Sequence, residues 1–239
     1  MPVKESIPFS IERIKYPRLL GAHRAGTIRI WEIDTCHLLN EEDEGNLNVE
    51  ERRRAAKYRS EDERRRFIRT RSALRRIIGY YYNIRPYDAQ LSFSSGGKPF
   101  VKNNTLGVKF NVSHSGCKAL IAVGLMREVG VDIEYRRRRQ QIVDDVASYF
   151  SANERYLLSR LEGTAKVRLF YRIWCRKEAC LKAAGAGLSE SLDRFDVIFD
   201  RCCGQAQGVA IVSLRQLRWW VTDIEIDPAY AAAVAVEIE

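Results

Sequence analysis

Four short apolar runs follow one another between residues 91 and 134, and their close spacing constrains the fold more than any other feature of the chain. The runs are Leu91–Phe93, Val108–Val112, Leu120–Leu125 and Val129–Glu134. Each has the length and the residue types that are typical of a strand. The last two runs lie so close together that we expect them to pair as a β-hairpin.

Helical patterns flank these strands on both sides. Residues Asn48–Tyr82 predict one or two Arg-rich helices, because apolar residues recur there at helical spacing, and Pro86 ends the pattern. Ser151 begins a capping box, and a long helix is expected from about Ala165 to Ala184, where Gly185 follows.

Three more strands are expected at the end of the chain, at Gly208–Leu214, Trp219–Ile226 and Ala231–Glu237. The order of elements predicts an α+β fold with two α+β halves that meet near residue 126. We place these halves at residues 1–125 and 126–239. A site between the halves is the natural hypothesis.

Composition limits the classes of function. The chain has 239 residues, 46% of them hydrophobic, and no apolar stretch long enough to span a membrane. Its six cysteines form no CxxC pair, so we expect reduced thiols and a cytoplasmic protein. The formal net charge of +9 indicates a polyanionic partner, which charge alone leaves open between nucleic acid, an anionic membrane, a phosphate-rich cofactor and an acidic protein.

Two carboxylates stand two residues apart in the run Val129–Glu134. Side chains at this spacing share one face of a strand, so Asp132 and Glu134 lie side by side while their apolar neighbours face a core. Repulsion between like charges is relieved by a cation, and carboxylate oxygens suit Mg²⁺. The alternative is a strand whose polar face is simply solvated.

A third carboxylate lies on the long predicted helix. Trp174, Glu178 and Lys182 are four residues apart and share one face, where they could hold a metal-bound diphosphate. Arg176 and Lys177 are expected to add positive charge beside them. The alternative is an ordinary ion pair between Glu178 and Lys182 on a solvated helix.

Two loop segments could contact phosphate groups. His114 lies at a strand end between Ser113 and Ser115, where all three side chains can donate hydrogen bonds, although a capped turn explains the segment equally well. The segment Ser94–Pro99 could bring backbone N–H groups and Lys98 to an anion, but such stretches are often only loops.

Three segments together resemble the motifs of the surfactin-type 4′-phosphopantetheinyl transferases. They are, in order, FNVSHSG, VGVDIEY and WCRKEACLKAAGAGLS. The GGKP segment and Arg64–Phe67 also match, so the resemblance covers about Glu50 to Ser189. In that family two similar halves, related by a pseudo-two-fold axis, bind coenzyme A and Mg²⁺ between them.

The resemblance implies which residues do the chemistry. Asp132, Glu134 and Glu178 would hold Mg²⁺, for which Mn²⁺ is a possible substitute. Glu178, Lys182 and His114 would be catalytic, and Lys182 and His114 would also contact coenzyme A phosphates. Glu178 would be the general base towards the attacking serine, either directly or through a metal-bound water.

The resemblance also implies the remaining contacts to coenzyme A. Lys98, Pro99 and Ser113 would lie near its nucleotide part, and Arg66 and Arg54 would meet its 3′-phosphate. The implied reaction moves the phosphopantetheine arm of coenzyme A onto a serine of an apo acyl or peptidyl carrier protein and releases adenosine 3′,5′-bisphosphate. Fatty-acid, polyketide and nonribosomal peptide synthesis all use such carriers.

The partner is expected to be an acidic carrier protein, which a basic enzyme captures faster. The basic run Arg136–Arg139 could belong to the docking surface or be a solvated loop. We expect a monomer that binds neither nucleic acid nor membrane. The rival readings are a nucleic-acid-binding protein, which would use the Arg-rich helix and Tyr80–Tyr82, and a family member that binds coenzyme A without transferring.

Overall fold

The structure, a computed structural model, describes residues 10–16, 23–24, 26–94, 97–136, 140–185, 190–198 and 210–238. Its helices are α1 (Glu41–Gly45), α2 (Val49–Ala55), α3 (Glu61–Tyr82), α4 (Gln140–Ala147), α5 (Ala152–Ser159) and α6 (Gly163–Ala183). Its strands are β1 (Ser10–Lys15), β2 (Thr27–Asp34), β3 (Leu91–Phe93), β4 (Pro99–Val101), β5 (Val108–Ser115), β6 (Lys118–Leu125), β7 (Val129–Tyr135), β8 (Ala210–Leu214), β9 (Leu217–Asp223) and β10 (Tyr230–Ile238).

The strands form two four-stranded sheets and one separate pair. The first sheet has the order β1-β2-β6-β5, in which β1 and β2 are parallel and the other pairs antiparallel. The second sheet has the order β7-β10-β9-β8 and is antiparallel throughout. Strands β3 and β4 pair with each other. The predicted α+β class is confirmed.

Helices α3 and α5 begin at serine residues that cap them. Ser60 caps α3, and Asn83 ends it in the left-handed conformation at φ 51°. The predicted capping box at Ser151 is confirmed, because its hydroxyl accepts from the amide of Glu154 and the Glu154 carboxylate accepts from the amide of Ser151.

Each long helix packs on one sheet. Apolar residues of α3, among them Leu74 and Ile78, meet Trp31 and Phe110 of the first sheet. Helix α6 packs on the second sheet, where Ile173 and Ala179 join the core formed by β9 and β10. Each four-stranded sheet therefore packs against one long helix.

The predicted hairpin between the third and fourth apolar runs is wrong. Strand β6 pairs with β2 and β5, whereas β7 pairs with β10, so the two strands belong to different sheets. The chain crosses between them at Met126, which has a positive φ of 60°. The observed hairpin is β5–β6, and Gly116, at φ 55°, stands first in its two-residue turn, as a type II′ turn requires. Runs that are buried on both faces do not reveal their partners.

The expectation of reduced thiols throughout is also wrong. Cys36, just after β2, and Cys117, in the β5–β6 turn, form a disulfide across 81 residues of sequence. Cys175 and Cys180 are free and buried, and Cys202 and Cys203 lie outside the described residues. None of the helices that the structure describes has the length and apolar character needed to cross a membrane.

Candidate active site

Asp132 is the centre of the candidate active site. It lies on β7 and is only 3% exposed. Its Oδ1 accepts from the Lys182 ammonium at 2.6 Å and from the Ser113 hydroxyl at 2.8 Å. Its Oδ2 is buried and accepts no conventional hydrogen bond from the described residues. Strand β7, strand β5 and helix α6 thus meet at one carboxylate.

The other two carboxylates lie in the field of Asp132. The Ser115 hydroxyl donates to Glu134 Oε2 at 2.9 Å. Burial, followed by the charge of Asp132, raises the pKa of Glu134, although Ser115 and Trp174 act in the opposite direction. Burial and Asp132 likewise raise the pKa of Glu178, against the attraction of Lys182. Burial and the charge of Asp132 therefore both disfavour the charged forms of the two glutamates.

The close approach of α6 to β7 depends on Gly130. A Cβ at this position would lie 2.0 Å from the carbonyl oxygen of Ala179 and 2.4 Å from the amide nitrogen of Ala183. The helix backbone therefore rests directly on the strand backbone. This contact brings Glu178 and Lys182, four residues apart on one face of α6, over the carboxylates of β7.

Arg176 and Lys177 do not add charge to this face, which corrects the expectation from sequence. The Arg176 guanidinium makes two hydrogen bonds to Asp223, at 2.7 and 3.0 Å. The Lys177 ammonium pairs with Glu154 at 2.8 Å, and both of these side chains are fully buried. Both cations anchor α6 to its surroundings.

His114 and Arg66 approach the site from the first sheet and α3. Partial burial, followed by the charges of Arg66 and Lys182, lowers the pKa of His114 and favours its neutral form. The Nε of Arg66 is buried without a hydrogen-bond partner among the described residues. Arg54 lies on α2 with its guanidinium 5.2 Å from the centre of the Phe67 ring. An anion that reached Arg66 would meet an unsatisfied donor.

Lys98 lies at the carboxyl end of α6. Its ammonium pairs with Glu128 at 2.9 Å and donates to the carbonyl of Ala183 at 3.1 Å. Lys98, Pro99 and Phe100 line a cavity of about 470 Å³. Residues 95–96 of the predicted anion loop lie outside the described residues.

Within the described ranges, no three His, Cys, Asp or Glu side chains form a group with the geometry of a metal site. The charge of Asp132 raises the pKa values of Glu134 and Glu178, but the three carboxylates do not surround a common point. The Mg²⁺ site therefore stays a prediction. Asp132, Glu134, Glu178, Lys182, Ser113 and His114 gather at the site, whereas Lys98 and Arg54 have other immediate contacts.

Two further residues of the site, Cys175 and Asn111, were not predicted from the sequence. Burial and Asp132 raise the pKa of Cys175 well above its usual range, so the thiol stays protonated beneath the site. Asn111 of β5 accepts a hydrogen bond from the amide of Val131 at 2.9 Å. The alternation of polar residues in β5 was the available signal for Asn111. Cys175 gave no signal.

Comparison with known proteins supplies the family. A sequence model of the 4′-phosphopantetheinyl transferase superfamily matches residues 128–235, and a model described as 4′-phosphopantetheinyl transferase, N-terminal, matches residues 44–125. The chain is 36% identical over 146 residues to the 4′-phosphopantetheinyl transferase HetI of a Nostoc species, and the alignment covers 60% of this chain and 62% of HetI.

Two further relatives align over more of their length. A phosphopantetheinyl transferase of a Thraustochytrium species is 30% identical over 209 residues, which cover 81% of this chain and 71% of the relative. The 4′-phosphopantetheinyl transferase Sfp of Bacillus subtilis is 26% identical over 191 residues, which cover 79% and 81%. The predicted enzyme class, a transferase, is thereby confirmed. Sequence models of the family match the segments that carry the site residues, and a relative is 30% identical over 71% of its length. The chain therefore belongs to the 4′-phosphopantetheinyl transferase superfamily.

Proposed function

We propose that the chain moves 4′-phosphopantetheine from coenzyme A to a serine hydroxyl of an apo acyl or peptidyl carrier protein, in an Mg²⁺-dependent reaction that releases adenosine 3′,5′-bisphosphate. The observation that carries the proposal is the meeting of Asp132, Glu134, Glu178 and Lys182 where β7 contacts α6, in a chain of this superfamily.

Asp132, Glu134 and Glu178 would hold the Mg²⁺. Their oxygens are the hard ligands that this ion prefers, and Mn²⁺ accepts the same ligands. The buried Oδ2 of Asp132 accepts no N–H or O–H hydrogen bond from the described residues, which supports the fit. Burial and the charge of Asp132 raise the pKa values of the two glutamates, and a bound cation would oppose both effects. When bound, the ion would neutralise charge on the diphosphate of coenzyme A.

The remaining contacts to coenzyme A divide by charge. Lys182 and His114 would face the diphosphate. The Lys182 side chain is 29% exposed, so a ligand can reach its ammonium group. Arg66, with its unsatisfied buried Nε, would bind the 3′-phosphate with help from Arg54. Ser113 would lie near the nucleotide part, as would Lys98 and Pro99 beside their cavity.

Glu178 would act as the general base. Its raised pKa brings the carboxylate closer to the range in which a base both stays ionised and accepts a proton readily. It would take the proton from the carrier serine as the serine oxygen attacks the β-phosphate. Phosphoryl transfer depends mainly on positioning and charge neutralisation, which these residues would supply.

The second substrate would be an acidic carrier protein, because the net charge of +9 favours its capture. Arg136 of the basic run could contribute, while residues 137–139 lie outside the described part of the chain. We propose that the enzyme acts as a cytoplasmic monomer.

A nucleic-acid-binding function is disfavoured by the ion pairs of α3. Arg64 pairs with Glu44 at 2.6 Å, and Arg69 pairs with Asp43 at 3.1 Å. Arg75 is buried and pairs with a carboxylate of α2 at 2.5 Å. Arginines that are engaged within the chain contribute little to binding of a phosphate backbone.

The test is incubation of the protein with coenzyme A, Mg²⁺ and a panel of apo-carriers, followed by intact mass spectrometry. A mass gain of one phosphopantetheine on at least one carrier is expected, and chelation of divalent metal should abolish it. Tight binding of coenzyme A without a mass gain on any carrier would favour the non-transferring alternative.

A further inference from the structure

Strands β5 and β7 are the facing edges of the two sheets, and side chains bridge them where no backbone ladder exists. Asn111 Oδ1 accepts from the Val131 amide at 2.9 Å, and Ser113 Oγ accepts from the Ile133 amide at 3.4 Å. Ser115 Oγ accepts from the Tyr135 amide at 3.0 Å. These three residues of β5, the side-chain ladder, alternate with the period of a strand and satisfy every second amide of β7.

The two serines of the side-chain ladder make a second contact that Asn111 cannot make. Ser113 donates to Asp132 at 2.8 Å, and Ser115 donates to Glu134 at 2.9 Å. A hydroxyl has one hydrogen to donate and lone pairs to accept, so each serine can accept an amide and donate to the preceding carboxylate. Each serine donates to the residue that precedes its amide partner on β7. For Asn111 that preceding residue is Gly130, which has no side chain.

Ser115 matters more than Ser113 for the orientation of its carboxylate. Asp132 has a short side chain that Lys182 also holds, at 2.6 Å. Glu134 has one more rotatable bond, lies half-buried near the end of β7, and has Trp174 as a second hydrogen-bonding neighbour. The Tyr135 amide of the same strand fixes the position of Ser115. The hydrogen bond from Ser115 therefore restricts the rotation of the Glu134 side chain.

We propose that Ser115 is a positioning residue that orients Glu134 to receive Mg²⁺ while it joins the edges of the two sheets. The inference rests on the proposed function, because it assigns Glu134 to the metal. The same hydroxyl would then contribute to the alignment of the two sheets and to the orientation of a metal ligand.

Three variants separate positioning from simple support of the fold. Ser115→Ala removes both contacts, whereas Ser115→Thr keeps the hydroxyl. Asn111→Ala is the matched control, because it removes one amide bridge of the side-chain ladder without touching a carboxylate. Loss of a residue that orients a metal ligand typically weakens metal binding by about 10–100-fold.

The experiment measures Mn²⁺ binding by electron paramagnetic resonance, with and without coenzyme A, together with the melting temperature of each full-length variant. Ser115→Ala should raise the Kd for Mn²⁺ by about 10–100-fold, and Ser115→Thr should restore most of the affinity. Asn111→Ala should lower the melting temperature yet bind Mn²⁺ within a few-fold of the unsubstituted protein.

Unchanged Mn²⁺ affinity in Ser115→Ala would overturn the inference, as would an equal loss in Asn111→Ala. If Asn111→Ala does not fold, the comparison of Ser115→Ala with Ser115→Thr decides, because equal losses in these two would also overturn it. An unsubstituted protein that binds no Mn²⁺ would instead overturn the metal assignment of the proposed function, and the role of Ser115 with it.

Discussion

Replacement of Gly130 by alanine tests whether the contact between β7 and α6 sets the geometry of the site. The new Cβ would lie 2.0 Å from the Ala179 carbonyl oxygen, whereas ordinary contact begins at 3.4 Å. The helix must therefore retreat by up to 1.4 Å, the difference between these distances. Both opposing atoms belong to the backbone of α6, at Ala179 and Ala183, so no side-chain rotation can relieve the overlap.

The retreat should cost more in activity than in stability. Overpacking of this kind costs about 1–3 kcal/mol, which lowers the melting temperature of a chain of this size by about 2–12 °C. A displacement of 1 Å at a reacting site can reduce catalysis about 100-fold. Glu178 and Lys182 move with the helix while Asp132 and Glu134 stay on the strand, so we expect kcat/KM to fall about 100-fold in a folded protein.

The assay is the initial rate of mass gain on an apo-carrier at several Mg²⁺ concentrations, with thermal melting followed by circular dichroism. Gly45→Ala is the control, because a Cβ at Gly45 meets no atom within 4 Å. It should leave both measurements unchanged. Near-normal kcat/KM in folded Gly130→Ala would refute the reasoning, and so would a protein that no longer folds.

Three other predictions follow from single groups. Because burial and its carboxylate neighbours raise the pKa of Glu178, its charged form costs stability once the pH rises through the folded pKa. Without metal, Glu178→Gln should therefore melt higher than the unsubstituted protein at pH 8, by about 2–4 °C for each kcal/mol gained, and the difference should vanish below pH ~4, where the carboxyl group is protonated in both states. Arg66→Ala should weaken binding of coenzyme A, by calorimetry, far more than binding of its 3′-dephospho form, and equal losses would remove Arg66 from the 3′-phosphate site. Joint replacement of Cys36 and Cys117 by serine should lower the free energy of unfolding in urea by about 2–5 kcal/mol, and an unchanged midpoint would mean that the disulfide does not form in solution.

Local signals of the sequence predicted most of the elements that flank the site. Helical spacing located α3 and α6, and the capping box at Ser151 located α5, because these signals act within one or two turns of chain. Strand pairing was predicted less well. The hairpin of β6 with β7 was wrong, since the partner of β7 is β10, which lies about a hundred residues further along the chain. The disulfide between Cys36 and Cys117 likewise joins residues that only the tertiary fold brings together.

The residue types at the site were visible in the sequence, but their contacts were not. Spacing alone placed Asp132 and Glu134 on one face of a strand and Glu178 and Lys182 on one face of a helix. The hydrogen bond from Ser115 to Glu134 depends on the register between two sheets that share no backbone ladder. No pattern within a single element records such a register.

The charges of the candidate site favour a divalent ion over a monovalent one. Three carboxylates, from Asp132, Glu134 and Glu178, face one ammonium, from Lys182, so two negative charges remain when all four groups are ionised. Burial, followed by the charge of Asp132, raises the pKa values of both glutamates in the metal-free protein. In the proposed function, a divalent cation would balance this excess charge and would favour the ionised form of Glu178 that a general base requires. Under the proposed function, metal binding and readiness for proton transfer would be linked through the same carboxylates.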